Sequence, residues 1–229
     1  MAGTITSLEA QDHNPERVNV YLDGTFAFGI TALEAARLRK GQALSDAEIA
    51  ALKDRDSVEM AYERGLRLLA HRARSTAEIR RALAAKKIAS TSIDEAISRL
   101  LERGYLDDLA FARLWISNRQ QFKPHGARAL RSELRAKGID PDVIEQALDG
   151  LDTDEAAYRA AVGKARTLQR LDARTFREKL GAFLVRRGFT FETARNVIEQ
   201  IISERDDLHS TDDDSDAGDW DLMQENIEE

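Results

Sequence analysis

The feature that most constrains this chain is an internal repeat of about 50 residues. When Lys87, Gly138 and Gly188 are set in register, Ile79, Leu130 and Leu180 align eight residues upstream and Leu83, Leu134 and Leu184 four upstream. Ile88, Ile139 and Phe189 follow by one residue, Ile93, Ile144 and Ala194 by six, and Ile97, Leu148 and Ile198 by ten. Apolar residues four apart share one face of a helix, so the match runs across two amphipathic helices and the turn between them. A period of this size marks an array of helical units, none of which can bury a core alone.

The punctuation agrees with a mainly α chain. The 229 residues include only three prolines, and most of the 13 glycines stand at turn positions. Capping signatures recur at Ser45 with Glu48, Ser75 with Glu78, Ser92 with Glu95 and Asp152 with Glu155, and Asp140-Pro141 places a cap before an N-terminal proline. The spacing predicts three units of three helices over 58–73, 75–87 and 92–103, then 108–122, 126–137 and 141–149, then 153–169, 173–187 and 191–204. Tyr62, Phe111 and Tyr158, early in the first helix of each unit, read as core anchors. Before them, Val18, Val20 and Leu22 alternate into Asp23-Gly24, and Phe26, Phe28 and Ile30 alternate out of it, as in a tight hairpin. Ile5 and Leu8 add a third strand to a small meander.

The expected organisation is therefore an N-terminal β-meander with a linking helix (1–57), three-helix repeats at 58–104, 105–150 and 151–205, and an acidic tail (206–229). That tail carries 11 acidic and no basic residues, a composition expected to be disordered, although Trp220, Leu222, Met223 and Ile227 are spaced through its end. The tail also disguises the body. The net charge of the chain is −7, yet residues 58–205 hold 28 basic and 21 acidic residues, so an anionic partner suits the repeats.

Several function classes lose support. There is no cysteine, hence no disulfide or thiolate metal site, and no apolar run long enough to span a bilayer. The sequence also lacks a phosphate-binding glycine loop, a nucleophile elbow and a zinc-protease motif. His13, His71, His125 and His209 are scattered singly and read as surface or loop residues. The expectation is a non-enzymatic, cytoplasmic protein with no cofactor and no membrane attachment.

Charge instead divides by helix. The middle helices over 75–87, 126–138 and 173–188 carry 4, 4 and 5 basic residues against one acidic residue each, while the third helices carry 2, 0 and 1 basic against 3 acidic each. An acidic third helix would be repelled from a phosphate-lined major groove, which opposes the usual helix-turn-helix reading of DNA. The basic candidates for contact are Arg80, Arg81, Lys86 and Lys87 in the first unit, Arg128, Arg131, Arg135 and Lys137 in the second, and Arg174, Arg177, Arg186 and Arg187 in the third. Arg72 and Arg74 precede the Ser75 cap, and Arg113, Arg119 and Lys123 line the fourth helix near Trp115, which reads as core or as a base-stacking platform.

Three segments, RARSTAEIRRAL at 72–83, RGYLDDLAFARLWISNR at 103–119 and GARALRSELRAKGI at 126–139, resemble the RecX family of recombination regulators. The resemblance implies tandem three-helix units in an elongated, curved array. It further implies a monomer that binds the filament of the RecA recombinase on single-stranded DNA and restrains its extension, ATP hydrolysis, strand exchange and coprotease activity, within DNA repair and the SOS response. Asp107 or Asp108 reads as the cap of the next helix, with Tyr105 and Leu106 stapling it and Phe111 packing inward. Lys87-Ile88 departs from the Lys-Gly-apolar turn at 137–139 and suggests a different turn geometry in the first unit. A transcriptional or general DNA-binding helix-turn-helix protein and a helical scaffold for another partner are the alternatives.

Overall fold

A computed structural model of the chain describes residues 2–12 and 14–213. Strands β1 (Gly3–Gln11), β2 (Asn14–Leu22) and β3 (Thr25–Thr31) form the expected meander, and a short β4 (Ala43–Leu44) extends it to an antiparallel sheet of order β3-β2-β1-β4. The turn joining β2 to β3 has φ of 49° at Asp23 and 84° at Gly24, the left-handed pair that suits a two-residue hairpin. Phe26 departs from the predicted alternation. Val20 pairs with Phe28 but Tyr21 with Phe26, so a bulge moves Phe26 to the Tyr21 face, where it lies exposed against that ring.

After α1 (Ala32–Ala35), a complete capping box between Ser45 and Glu48 starts α2 (Asp46–His71). The linking helix and the repeat helix expected at 58 are one continuous 26-residue helix, because no breaker separates them and both halves bury apolar residues. Ile49 and Leu52 pack with Ile5, Val20, Phe28 and Ile30 of the sheet, whereas Ala61 and Tyr62 join Ile79, Leu83, Ile93 and Leu100 in a second core. Arg17 of β2 holds the sheet to this helix through two hydrogen bonds of 2.8 and 2.9 Å to the buried Asp56.

The remaining helices are α3 (Thr76–Ala84), α4 (Ser90–Glu102), α5 (Asp108–Phe122), α6 (Ala127–Ala136), α7 (Pro141–Leu148), α8 (Thr153–Ala165) with a 3-10 turn at Arg166–Leu168, α9 (Ala173–Arg186) and α10 (Phe191–Asp213). Every aligned apolar position is buried except Ile88, which is half-buried. Ser92 does not cap. Its helix already starts at Ser90, and Ser92 is buried within the first turn. Of the expected acidic tail, residues 206–213 continue the backbone of α10, and 214–229 lie outside the described residues. Among the described residues no helix is long and apolar enough to cross a membrane.

Packing divides the chain into two compact units, Met1–Phe111 with Lys137–Ile139, and Ala112–Ala136 with Asp140–Glu229. This division does not follow the sequence repeat, and the reason lies in the turns. In the first unit the Ser75 hydroxyl donates to the carbonyl of Lys137 at 2.7 Å, and a Cβ on Gly138 would stand 2.4 Å from that of Ala77. In the second unit Gly126 N–H donates to the Arg187 carbonyl at 2.9 Å, and a Cβ on Gly188 would stand 2.4 Å from the nitrogen of Ala129. Ser75 and Gly126 are equivalent repeat positions, as are Lys137 and Arg187. The turn of each later repeat thus seats on the N-terminus of the preceding middle helix.

The turns also share a backbone state. Gly138 and Gly188 have φ of 80° and 86°, and Lys87 adopts 60°, so the first unit keeps the left-handed turn without the glycine. A side chain in that region costs about 1 kcal/mol. Lys87→Gly is therefore expected to raise stability by about 1 kcal/mol, whereas Gly188→Ala, which drives a methyl into backbone, loses about 3 kcal/mol. Urea denaturation of both variants measures the two signs.

Candidate protein and nucleic-acid interface

The middle helices α3, α6 and α9 bury Leu83, Leu134 and Leu184 on one face and carry their basic residues on the others. In α6 the contrast is sharp: Leu130 and Leu134 are buried, Arg128 and Arg135 are exposed, and Arg131 is half-buried. The candidate cations then separate by what already holds them.

Six are paired to carboxylates. Arg72 donates to both oxygens of Glu78 at 2.9 and 3.3 Å, and Lys137 donates to the same group at 2.8 Å. Burial pushes the Glu78 carboxyl up, but the hydrogen bonds from Arg72 and Lys137 outweigh it and bring its pKa down to about 2. Arg131 makes a two-pronged bond to Glu145 at 2.7 and 2.8 Å, which raises the arginine and lowers the glutamate, and Arg80 pairs with Asp94 across α3 and α4. Arg174 pairs with Glu178 along its own helix.

The sixth, Arg119, belongs to a cluster the sequence did not reveal. Its Nε donates to Glu133 at 2.7 Å, the Trp115 indole N–H donates to the same oxygen at 2.7 Å, and the guanidinium lies 4.7 Å from the Trp115 ring centre. Trp115 is thereby occupied on its edge and on one face, which disfavours the stacking role considered for it. His125 Nδ1 stands 3.0 Å from the other Glu133 oxygen, so one of the four histidines is part of a charged cluster rather than a free surface residue. Burial lowers the imidazole pKa, Glu133 opposes this, and Arg187 and Arg119 reinforce it.

Three more cations bind carbonyl groups. Arg74 donates to Leu68, Arg81 to Ala77, and Arg187 to Pro124 while lying over the Phe183 ring. Arg187 is the repeat equivalent of Lys137; the Lys137 side chain fastens its turn to α3 through Glu78, and that of Arg187 fastens its turn to the loop before α6. Burial lowers the Arg187 pKa.

Among the described residues the others have no ion pair: Lys86 and Lys87 in the first unit, and Arg113, Lys123, Arg128, Arg135, Arg177 and Arg186 in the second, all exposed. Lys179, exposed on α9 and counted among the basic residues of that helix but not among the contact candidates, shares this state. These side chains can meet an anion without first breaking an ion pair, although the Arg135 charge also acts on Glu145. The Gly-Tyr-Leu-Asp-Asp segment, by contrast, is architectural. Asp107 accepts from Ala110 N–H at 2.9 Å and caps α5, Asp108 accepts from Thr76 N–H at 2.8 Å and ties α5 to α3, and Leu106 is buried while Tyr105 is exposed instead of stapling the helix.

The fold and this surface define a helical-repeat protein with an N-terminal sheet and basic middle helices. Comparison with known proteins identifies it further. Models of the regulatory protein RecX N-terminal domain and of the first, second and third RecX three-helix domains match residues 3–45, 61–100, 107–148 and 152–198. Regulatory protein RecX of Bacillus licheniformis is 33% identical over 208 residues, 89% of this chain and 79% of that protein. That of Leuconostoc mesenteroides is 31% identical over 83% of this chain and 73% of its own length. A crystal structure of regulatory protein RecX superposes with a TM-score of 0.71 at 27% identity, over 86% of this chain and 99% of the other. The chain belongs to the RecX family of regulatory proteins.

The Glu78 cluster has a measurable pH signature. Because its folded pKa is depressed, its stabilisation is fully present above the ordinary value of 4.5 and fades as pH falls towards about 2. Glu78→Gln is expected to lose roughly 2 kcal/mol at neutral pH and to shed this part of the acid dependence. Urea midpoints between pH 6 and 2 compare the two proteins.

Proposed function

We propose that this protein binds the filament formed by the RecA recombinase on single-stranded DNA and restrains its extension, and with it ATP hydrolysis, strand exchange and coprotease activity. The observation that carries this reading is family membership across all four domain models. It acts without chemistry of its own, as a cytoplasmic monomer, and the nucleotide consumed is RecA's. The unpaired cations supply an accessory, sequence-independent affinity for the DNA backbone, because each phosphate they neutralise releases counterions. The paired ones, notably Arg72, Arg131 and Lys137, hold the repeats in shape.

Two measurements test this. Single-strand-dependent ATP hydrolysis by RecA is expected to fall at amounts of this protein far below one per RecA; an effect only once the strand is coated would mean simple competition for DNA. Within the DNA contribution, replacing Arg128 and Arg135 with Ala is expected to flatten the slope of log affinity against log salt by about 0.7 per residue on single strands. Arg131→Ala, whose guanidinium is held by Glu145, changes the slope less. Equal effects of all three would remove the distinction drawn between held and open cations.

A further inference from the structure

The third repeat differs from the other two at one seam. Seven residues before the turn position stand Arg80, Arg131 and Gly181, and seven after it Asp94, Glu145 and Arg195. In the first two repeats these residues form the ion pairs Arg80–Asp94 and Arg131–Glu145, which bridge the middle helix to the third. In the third repeat the arginine is absent and an arginine replaces the carboxylate. The seam between α9 and α10 is consequently an open groove of about 570 Å³, floored by Gly181, Ala182 and Ile198 and walled by Val185 and Phe191. Val185 is 40% exposed and Phe191 80%, and Arg177, Glu178, Arg195 and Glu199 stand on the rim, with Glu178 paired to Arg174 and Glu199 to Arg195, which among the described residues leaves Arg177 the rim charge outside an ion pair.

We propose that this groove is the docking site of the chain's own C-terminal segment, with Trp220, Met223 and Ile227 as its anchors. Three observations select this occupant. Trp220, Met223 and Ile227 recur at intervals of three and four residues, the spacing that puts apolar residues on one face. They stand among seven acidic and no basic residues in 214–229, opposite a helix whose Ala173–Arg186 span has four basic residues and one acidic. Carboxylates of the segment can therefore meet Arg177, which no carboxylate holds among the described residues, and compete with Glu199 for Arg195.

Reach is the third. Asp213 lies 15 residues beyond Ile198 on α10, about 22 Å at 1.5 Å per residue. The seven residues from Asp213 to Trp220 span up to about 24 Å when extended, so the chain can fold back and place Trp220 at the Ile198 end, with Ile227 towards Phe191. The match to the third RecX three-helix domain ends at residue 198, so this segment lies outside the matched repeats. Docked there, it withholds Arg177 and its neighbours from other anions.

The test uses the full chain and the indole N–H resonances of its two tryptophans, assigned with Trp220→Phe. The Trp220 resonance is expected to be displaced from its solvent-exposed position in the parent. It should return there in Gly181→Arg/Arg195→Glu, which restores the bridging pair of the other repeats and closes the groove. The Trp115 resonance, held by Glu133, stays in place in that variant and reports an intact fold. A Trp220 resonance at the exposed position in the parent, or one indifferent to the double substitution, overturns the proposal. So does a displacement lost on dilution, which would assign the groove to the segment of a second copy.

Discussion

The structure depends on one contact made twice, the seating of a left-handed turn on the first turn of an earlier helix. Ser75 reaches the Lys137 carbonyl and Gly126 reaches the Arg187 carbonyl, so equivalent positions satisfy equivalent groups. At a helix N-terminus the first amides and at its C-terminus the last carbonyls lack partners within the helix. Bringing one repeat's turn to another's start gives such carbonyls a donor, and it demands a close approach that only a residue without a Cβ permits at Gly138 and Gly188. The apolar repeat builds each small core. This contact joins one repeat to the next.

The same contact explains why basic residues on this chain are not one population. Lys137 and Arg187 each stand immediately before a left-handed glycine, and their side chains are drawn to Glu78 and to the Pro124 carbonyl beside the neighbouring helix. Arg80 and Arg131 cross to the third helix of their own repeat. The acidic character of the third helices, which argued against major-groove insertion, has in part a structural use: Asp94 and Glu145 are the partners of those arginines. After these internal uses there remains a smaller set of exposed cations outside any ion pair, and that set is the chemically available part of the surface.

The third repeat shows the effect of losing an internal use. With glycine at 181 and arginine at 195, the seam has neither its bridge nor its carboxylate, and apolar residues at 185 and 191 come to the surface. The equivalent positions in the second repeat are Arg135 and Pro141. A repeat can therefore keep its core, with Leu180, Leu184 and Ala194 buried, and still change what its outer face recognises.

Periodicity by itself determined that the chain is mainly helical with a small N-terminal sheet, where the turns fall, and which residues fill the cores. These follow from local spacing and from burial of one face, and residues such as Ile79, Leu130 and Leu180 have no alternative use. Asp23-Gly24 and the caps at Ser45, Asp140 and Asp152 were equally legible because each acts on amides within a few residues. The candidate surface was legible only as a list of charges. Arg72 and Arg174 are held by carboxylates 6 and 4 residues away, but the other paired cations depend on carboxylates 14 to 59 residues away in sequence, as with Arg131 and Glu145 or Lys137 and Glu78. Tertiary packing also decided that Lys87 takes a left-handed backbone, that Trp115 and His125 share Glu133, and that one helix runs unbroken from Asp46 to His71. At Glu133 the energy comes from partners that folding brings near, which no local pattern records.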